Sequence, residues 1–342
     1  MIGKILHASL SRITDLDRVG FDCQPLPREQ WELGDYVIGS ATIARGGFSA
    51  VELTSGRVAH AVSGDSILGA LAVRHATLEV VGSWEAVGAD GRMHLLSAGG
   101  LLGRTTSVSG MLASPMRITY RGHAARGGAK LRMQDFAKAP SRTQQYEVPT
   151  ILIIGTSMSA GKTTCARIIV RELKKAGHRV AGAKLTGAGR YRDILAMQDA
   201  GADTIFDFVD VGLPSSVVDH EQFRPRMRDL LGLLAEAKPD VVVAEAGASP
   251  LEPYNGDTAL EELQGAVGLT VLCASDPYSV MGVMRGYDMM RPDVVAGVAT
   301  STSAGVELVE KLTGTKAINM LDAGSLPELR RLLAQVVPPE RG

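Results

Sequence analysis

Charge of one sign, aromatic rings and paired cysteines are what this 342-residue chain has least of, and each shortage removes a class of function. The net charge is −1, so no global basic field gathers nucleic acid or an acidic membrane surface. Aromatic residues make up 4% of the chain, too few for a base-stacking platform. No nucleic acid and no membrane is therefore expected among its partners. Three cysteines, Cys23, Cys165 and Cys273, lie far apart without C-x-x-C spacing, which suits a reducing cytoplasm better than a disulfide framework. No run approaches the roughly 18 apolar residues that span a bilayer. The opening "MIGKILHASLSRITDL" also lacks the apolar stretch of a signal peptide, so a cytoplasmic protein is expected. The seven histidines do not cluster, and no H-x-H or H-x-x-x-H spacing suggests zinc. His123 and His220 read as isolated core or surface residues.

With 45% hydrophobic and 21% charged residues, the chain is a folded one, long enough for two domains. Residues 1–125 hold short strand-like pieces punctuated by glycine, such as "DYVIGSATI", "SAVELTSGRVAHAV" and "MRITYRGHA". Several alternate apolar and polar residues, and "TSGR" and "GADGR" carry hairpin chemistry. A compact β-rich domain, a small barrel or a sandwich, is expected there. Residues 126–149 are polar and basic without a sustained apolar pattern and read as a linker. Its charges, Arg126, Lys130, Arg132, Lys138 and Arg142, are then a solvated connection.

From residue 150 strands and helices alternate. "TILIIG", "RVAGAKL", "DVVVAEAG", "LTVLCAS" and "DVVAGVAT" are continuous apolar runs of the kind buried on both faces of a parallel sheet. Between them "TTCARIIVRELKKAG", "RYRDILAMQDAG", "RPRMRDLLGLLAEA", "SVMGVMRGYDMM" and "SAGVELVEKLTG" carry helical periodicity or a glycine stop. The fold class expected for 150–342 is α/β. It is a doubly wound, mostly parallel P-loop sheet with helices on both faces and its site at the carboxyl ends of the strands.

The site follows from "ILIIGTSMSAGKTTCARIIV", a strand, a glycine-rich turn and a helix, with the core G-x-x-x-x-x-G-K-T-T. Gly155 lets the chain turn off the strand. The backbone N–H groups of Thr156, Ser157, Met158, Ser159, Ala160, Gly161, Lys162, Thr163 and Thr164 can then converge on phosphate oxygens at a helix N-terminus, where the dipole also favours anions. Lys162 places a point charge on the β- and γ-phosphates, and Thr163 offers a hydroxyl to Mg²⁺.

The G-T-x-x-x-x-G-K-T form resembles dethiobiotin synthetase and its relatives among P-loop proteins. The resemblance extends through Lys184, the small-residue loop 186–189, Asp193 and the strand ending in Glu245, with Ala246 where those enzymes have a glycine. It covers residues 150 to about 300. It implies that Asp193 and Glu245 join Thr163 around Mg²⁺, that Lys184 faces the substrate side of the γ-phosphate, and that the protein is a homodimer. It also implies ATP- and Mg²⁺-dependent transfer of the γ-phosphoryl group to a small-molecule acceptor, as a kinase or an acyl-phosphate-forming ligase. Lys162, Lys184 and Glu245 are then the catalytic residues. The alternative is a nucleotide-hydrolysing switch or accessory factor in cofactor or metal-centre maturation. The switch ATPases of this class carry a further lysine early in the loop, and Thr156 and Ser157 stand there instead. In the class, base recognition comes from the loop after the last core strand, here Thr300, Ser301 and Thr302, and the absence of aspartate there favours ATP over GTP. Three further polar stretches are candidates for substrate contact or for ordinary turns. They are Ser249, Glu252, Tyr254, Asn255 and Asp257; Asp276 and Tyr278; and Asp207, Asp210, Ser215 and Ser216.

Overall fold

The computed structural model describes residues 5–142, 145–287 and 291–337. Among these, no helix is long and apolar enough to cross a membrane. The chain divides into two compact units.

Among the described residues, the first unit carries twelve strands. They are β1 (Ile5–His7), β2 (Asp22–Gln24), β3 (Tyr36–Thr42), β4 (Ala50–Glu52), β5 (Val58–His60), β6 (Ser66–Leu71), β7 (Val73–His75), β8 (Val80–Ser83), β9 (Arg92–Leu95), β10 (Leu101–Val108), β11 (Arg117–Arg126) and β12 (Ala129–Lys130). The order β6-β3-β11-β9-β10 closes on itself, because β10 also pairs with β6, in parallel, while the other pairings are antiparallel. The result is a five-stranded closed barrel. Its interior is filled by alternate strand residues, among them Val37, Ile67, Met93, Leu95, Leu102 and Ile118. The "TSGR" turn joins β4 to β5, with Gly56 at φ +80°, as its hairpin chemistry requires.

The unit is not confined to one stretch of chain. It comprises residues 1–138 and takes back 188–192 and 208–218 from the later sequence. The expected boundary at residue 125 and the linker after it differ from this arrangement. Burial and charge give the reason: Leu131 and Met133 bond their backbones to Ala124 and Gly34, and Arg126, Lys130 and Lys138 pair with Asp15, Asp35 and Asp210. The basic residues of 126–138 are thus ion-paired structure rather than a solvated connection. Arg142 lies in the second unit, where its backbone N–H donates to Glu236, and residues 143–144 of the expected linker lie outside the described ones.

The second unit is an α/β sandwich. Its six strands, β13 (Thr150–Gly155), β14 (Val180–Thr186), β15 (Thr204–Asp207), β16 (Val241–Ala246), β17 (Val267–Ala274) and β18 (Val294–Gly297), form an all-parallel sheet in the order β15-β14-β16-β13-β17-β18. Its helices are α1 (Lys162–Lys175), α2 (Tyr191–Asp199, whose first two residues belong to the first unit), α3 (His220–Glu236), α4 (Gly256–Glu262), α5 (Pro277–Gly286), α6 (Ser303–Thr313) and α7 (Leu326–Val336). Ile151, Ile153, Val243 and Val271 face one layer, packing with Cys165, Ile169 and Leu173 of α1 and Leu329 and Leu333 of α7. Cys165 is in this core, as its helix-packing reading requires. Between them, Leu152 and Val242 point to the opposite layer and are equally buried, which is why these strands read as unbroken apolar runs.

Three elements escaped the periodicity. β15 is only four residues long, α4 grows out of what reads as a polar loop, and α7 follows the last strand. α3 begins at His220 rather than at Arg224, so Pro225 is interior; the extra turn buries Phe223, which offsets the hydrogen bond that proline removes. The last three residues of "SVMGVMRGYDMM", 288–290, lie outside the described ones.

Candidate functional site

β13 lies inside the sheet between β16 and β17, so its carboxyl end opens where the chain connections diverge to either side. Residues 156–161 turn there, and α1 starts at Lys162. Two glycines make the turn possible. Gly161, the residue before the helix, is at φ +97°, the left-handed region that glycine enters freely. A Cβ on Gly155 would lie 2.8 Å from Cδ and 2.9 Å from Nζ of Lys162, so the missing side chain is the slot through which the lysine folds back. Its Nζ donates to the Ser157 carbonyl at 2.7 Å. Burial pulls this ammonium below its ordinary pKa, against the Glu245 carboxylate nearby, which favours the charge.

The loop is braced from both sides. The Ser275 N–H donates to the Thr156 hydroxyl at 3.1 Å, and the Thr156 N–H donates to the Cys273 carbonyl at 3.0 Å. On the other side Gly297, at the end of β18, has φ +89° and ψ −151°, and a Cβ there would stand 2.2 Å from the Ala160 carbonyl.

Beneath the loop four expected residues come together in two pairs. The Thr163 hydroxyl donates to Glu245 Oε2 at 3.2 Å. Lys184 Nζ donates to Asp193 Oδ2 at 2.6 Å. Lys184 and Glu245 are register partners on β14 and β16, which sets the two pairs side by side. Burial pushes the Glu245 carboxyl up; the Lys162 charge opposes that, Asp193 adds to it and Lys184 opposes it again. Burial alone would lower Lys184, but the charges of Asp193, Glu245 and Asp207 outweigh it and hold the ammonium above its ordinary value. Two more glycines clear the space. Gly187 sits at φ +119°, and a Cβ on Gly247 would meet the Thr186 carbonyl at 2.3 Å and Lys184 Cε at 2.8 Å. That is the structural content of Glu-Ala-Gly here.

These oxygens suit a hard divalent cation. Mg²⁺ takes one or two carboxylates and completes its shell with phosphate and water. The buried hydroxyl of Thr186, at the end of β14, has no hydrogen-bond partner among the described residues, so polar capacity remains at this spot. Thr163, Glu245 and Asp193 are the residues that would hold the cation.

Other expected residues are placed elsewhere. Thr300, expected at the nucleotide base, is fully buried, and its hydroxyl lies 2.8 Å from the Ile318 carbonyl, so it pins the β18 loop to the core instead. Thr302 caps α6 by accepting from the Gly305 N–H, and the Ser301 carbonyl accepts from Asn319 Nδ2 at 3.2 Å. Asn319 was not singled out because it reaches that loop from eighteen residues away. Asp276 caps α5, with the Ser279 and Tyr278 N–H groups holding its carboxyl below the usual range, and Tyr278 is exposed. In 249–257, Ser249 and Glu252 close a local turn, Tyr254 is buried, Asn255 takes φ +58° before α4, and Asp257 accepts from the Thr258 N–H. The third stretch splits between the units. Asp207 pairs in register with Lys184, whereas Asp210 takes a bidentate contact from Arg12, and the Ser215 hydroxyl donates to the Val73 carbonyl. Ser216 is buried beside it. His123 is buried against Asp35, and His220 contacts the Thr258 hydroxyl.

No family model matches the chain, and no curated protein does. Solved structures match distantly. Chloroplast FtsY from Physcomitrella patens is 15% identical over 54% of this chain and 62% of its own, with a TM-score of 0.36. Hydrogenase maturation factor HypB from Archaeoglobus fulgidus is 18% identical over 55% of this chain and 89% of its own, with a TM-score of 0.37. HypB from Helicobacter pylori, solved in complex with nickel, is 15% identical over 55% and 86%, with a TM-score of 0.36. This chain therefore spans less than two thirds of the chloroplast FtsY chain, and likenesses so remote say nothing about activity. The structures named here do not show the dethiobiotin synthetase resemblance, which rests on the sequence motifs. The second unit has an α/β fold with a P-loop, carried by its own parallel sheet, its glycine-rich loop and the lysine folded through it.

Proposed function

We propose that this chain binds a nucleoside triphosphate with Mg²⁺ at residues 155–164 and passes the γ-phosphoryl group to water, as a nucleotide-hydrolysing switch or accessory factor. One observation carries the proposal: Lys162 lies folded through the Gly155 slot while Thr163, at the foot of the same loop, meets the buried carboxylate of Glu245. The loop amides and Lys162 bind and orient the phosphates. In the bound state Lys162 exchanges its Ser157 carbonyl contact for phosphate oxygens, which lets a buried cation meet a buried anion. Thr163, Glu245 and Asp193 would hold Mg²⁺, which would supply charge neutralisation to the bound phosphates. Burial raises the Glu245 carboxyl, against the opposing Lys162 charge, and a cation held there would favour its ionised form further. Hydrolysis needs only these groups and water, so it is the reading with the fewest additional parts.

A second reading, transfer to a small-molecule acceptor by a kinase or ligase with ATP as donor, rests on Lys184. This buried ammonium is placed to meet an anionic acceptor once Asp193 turns to a cation. A homodimer, implied by the dethiobiotin synthetase resemblance, is proposed under either reading.

Phosphate release from ATP and from GTP, with Mg²⁺ and with or without a set of small carboxylic acids and amines, separates the two. Slow release indifferent to every compound is the expected result; release that waits for one compound overturns hydrolysis in favour of transfer. Lys162→Ala should remove turnover and weaken triphosphate binding by about 100-fold, the order seen when a buried charge-assisted contact is lost. Unaltered binding in that variant would take the loop out of the mechanism.

A further inference from the structure

α1 ends at Lys175 in a tight turn. The Gly177 N–H donates to the Lys174 carbonyl at 3.1 Å and the His178 N–H to the Leu173 carbonyl at 3.2 Å, the pair of bonds that closes many helix C-termini. Between this end of α1 and the last turns of α7 a cavity of about 470 Å³ opens, and every residue that lines it belongs to the parallel-sheet unit. Small-molecule sites run from about 300 to 1,000 Å³ and are mostly apolar with a few placed polar groups. The floor here is Leu173 and Leu333, both buried and part of the sheet's core, with Ala334 and Val337 beside them. The polar groups are Glu172, Lys175 and Arg330. The Glu172 side chain is buried, and its carboxylate accepts from Lys175 at 2.6 Å and from Arg330 Nε at 2.7 Å.

One carboxylate thus answers two cations, and one positive charge is left over at the mouth. The end of α1 returns only about half a unit of negative charge, and Arg330 lies more than a turn before the end of α7, out of reach of that dipole. Arg330 spends only its Nε–H on Glu172. Among the described residues its two terminal NH₂ groups have no partner, so the flat fork that pairs with a carboxylate stands open above an apolar floor. We propose that this cavity binds a small amphipathic monocarboxylate of the medium-chain acid type, its apolar body on Leu173, Leu333 and Val337 and its carboxylate on Arg330 and Lys175. A cationic amphiphile would meet charge of its own sign, and a neutral one would leave the fork unused. The length of the 14-residue α1, about 20 Å, separates this site from the phosphate loop. The inference therefore goes beyond the nucleotide reading and does not rest on it.

The test is calorimetric titration of the full chain with octanoate, octan-1-ol and octylammonium. Octanoate should bind with a negative heat-capacity change and about 10-fold or more tightly than octan-1-ol, the discrimination that a charge-assisted hydrogen bond provides. Octylammonium should bind more weakly than either. Arg330→Gln should bring octanoate down to the affinity of octan-1-ol and leave octan-1-ol itself unchanged. Ala334 is exposed on the cavity wall, so Ala334→Trp should fill the space and abolish binding of both without lowering the unfolding temperature. Absence of octanoate binding overturns the proposal, and so does equal or better affinity for the alcohol or the ammonium. Octanoate binding that survives Ala334→Trp places it elsewhere on the molecule and overturns the proposal too. Should either variant fail to fold, the ratio of octanoate to octan-1-ol affinity on the unaltered chain still decides. A chain that binds octanoate as expected but neither ATP nor GTP would overturn the nucleotide reading alone.

Discussion

Single atoms decide the loop. Gly155 and Gly297 are not there for turn propensity alone: each withholds a Cβ from a place that another group occupies, the Lys162 side chain in one case and the Ala160 carbonyl in the other. Gly297→Ala combines a 2.2 Å clash against backbone with a φ that side chains avoid. It should cost about 3 kcal/mol of stability, since overpacking and backbone strain each cost about 1–3 kcal/mol. It should also weaken nucleotide binding, because the carbonyl it strikes belongs to the loop. Chemical denaturation together with nucleotide titration reads both effects, and a loss of stability with full affinity would mean that the loop relaxes independently of β18. At the same scale, the residues read from sequence spacing, Lys162, Thr163, Lys184, Asp193 and Glu245, lie close together, because each is tied to a strand end or a helix start whose position the parallel sheet dictates. Thr300, read from the same spacing, turns inward to the Ile318 carbonyl. A hydroxyl after a strand looks the same in sequence whether it faces a ligand or a buried carbonyl, and only the packing of Ile318 beside it made the choice.

Among the elements, α1 does two things at its two ends. Its N-terminus forms the loop site, and its last turns pair with α7 through Glu172, whose buried carboxylate accepts from Lys175 at 2.6 Å and Arg330 at 2.7 Å. Burial pushes this carboxyl up, but the two cations outweigh it and hold it below the ordinary range. A carboxyl lowered by folding stabilises the native state above its unfolded-state pKa of about 4.3 and loses that contribution as the pH falls through the folded value. Arg330→Ala should therefore cost about 1 kcal/mol or less near neutral pH, the range of a half-exposed pair. The difference from wild type should shrink as the pH is lowered from 5 towards 3. Urea unfolding at several pH values measures it; a difference independent of pH would assign the loss to the apolar stem of Arg330 instead. α7 had no strand or motif to announce it, and α4 was hidden because its turn residues, Ser249 to Asn255, are those of a loop until Tyr254 is seen to be buried.

At the scale of the whole molecule, the chain is not two units in series. Residues 208–218 belong to the first unit, where Phe208, Val209, Val211 and Leu213 are buried and Asp210 meets Arg12 and Lys138. A fragment of residues 139–342 would carry this apolar segment without its surroundings. It should be less soluble and should melt at a lower temperature than the full chain, even though its parallel sheet is complete. Comparing soluble yield and thermal unfolding of the two proteins settles the matter: a fragment as stable as the parent would show that 208–218 has an adequate alternative place. Composition changes at residue 150 marked where the parallel sheet begins. They could not reveal that two later loops return to the barrel unit, since ten or so residues of ordinary loop composition carry no sign of what buries them.

The sequence by itself determined the glycine-rich loop and the character of the sheet around it. A G-x-x-x-x-x-G-K-T-T string between an apolar strand and an amphipathic helix leaves the backbone few other conformations, and unbroken Val and Ile runs leave the strands no exposed face. Those are local signals, set by φ/ψ preference and by the period of burial. Only the tertiary structure decided that the strands of residues 1–125 close into a barrel, that Thr300 turns inward, and that the Glu52 carboxylate accepts the Tyr191 and Arg192 N–H groups. Each of these depends on groups far apart in the chain meeting at hydrogen-bond distance. Such meetings are fixed by the sum of all the packing rather than by any stretch of residues alone.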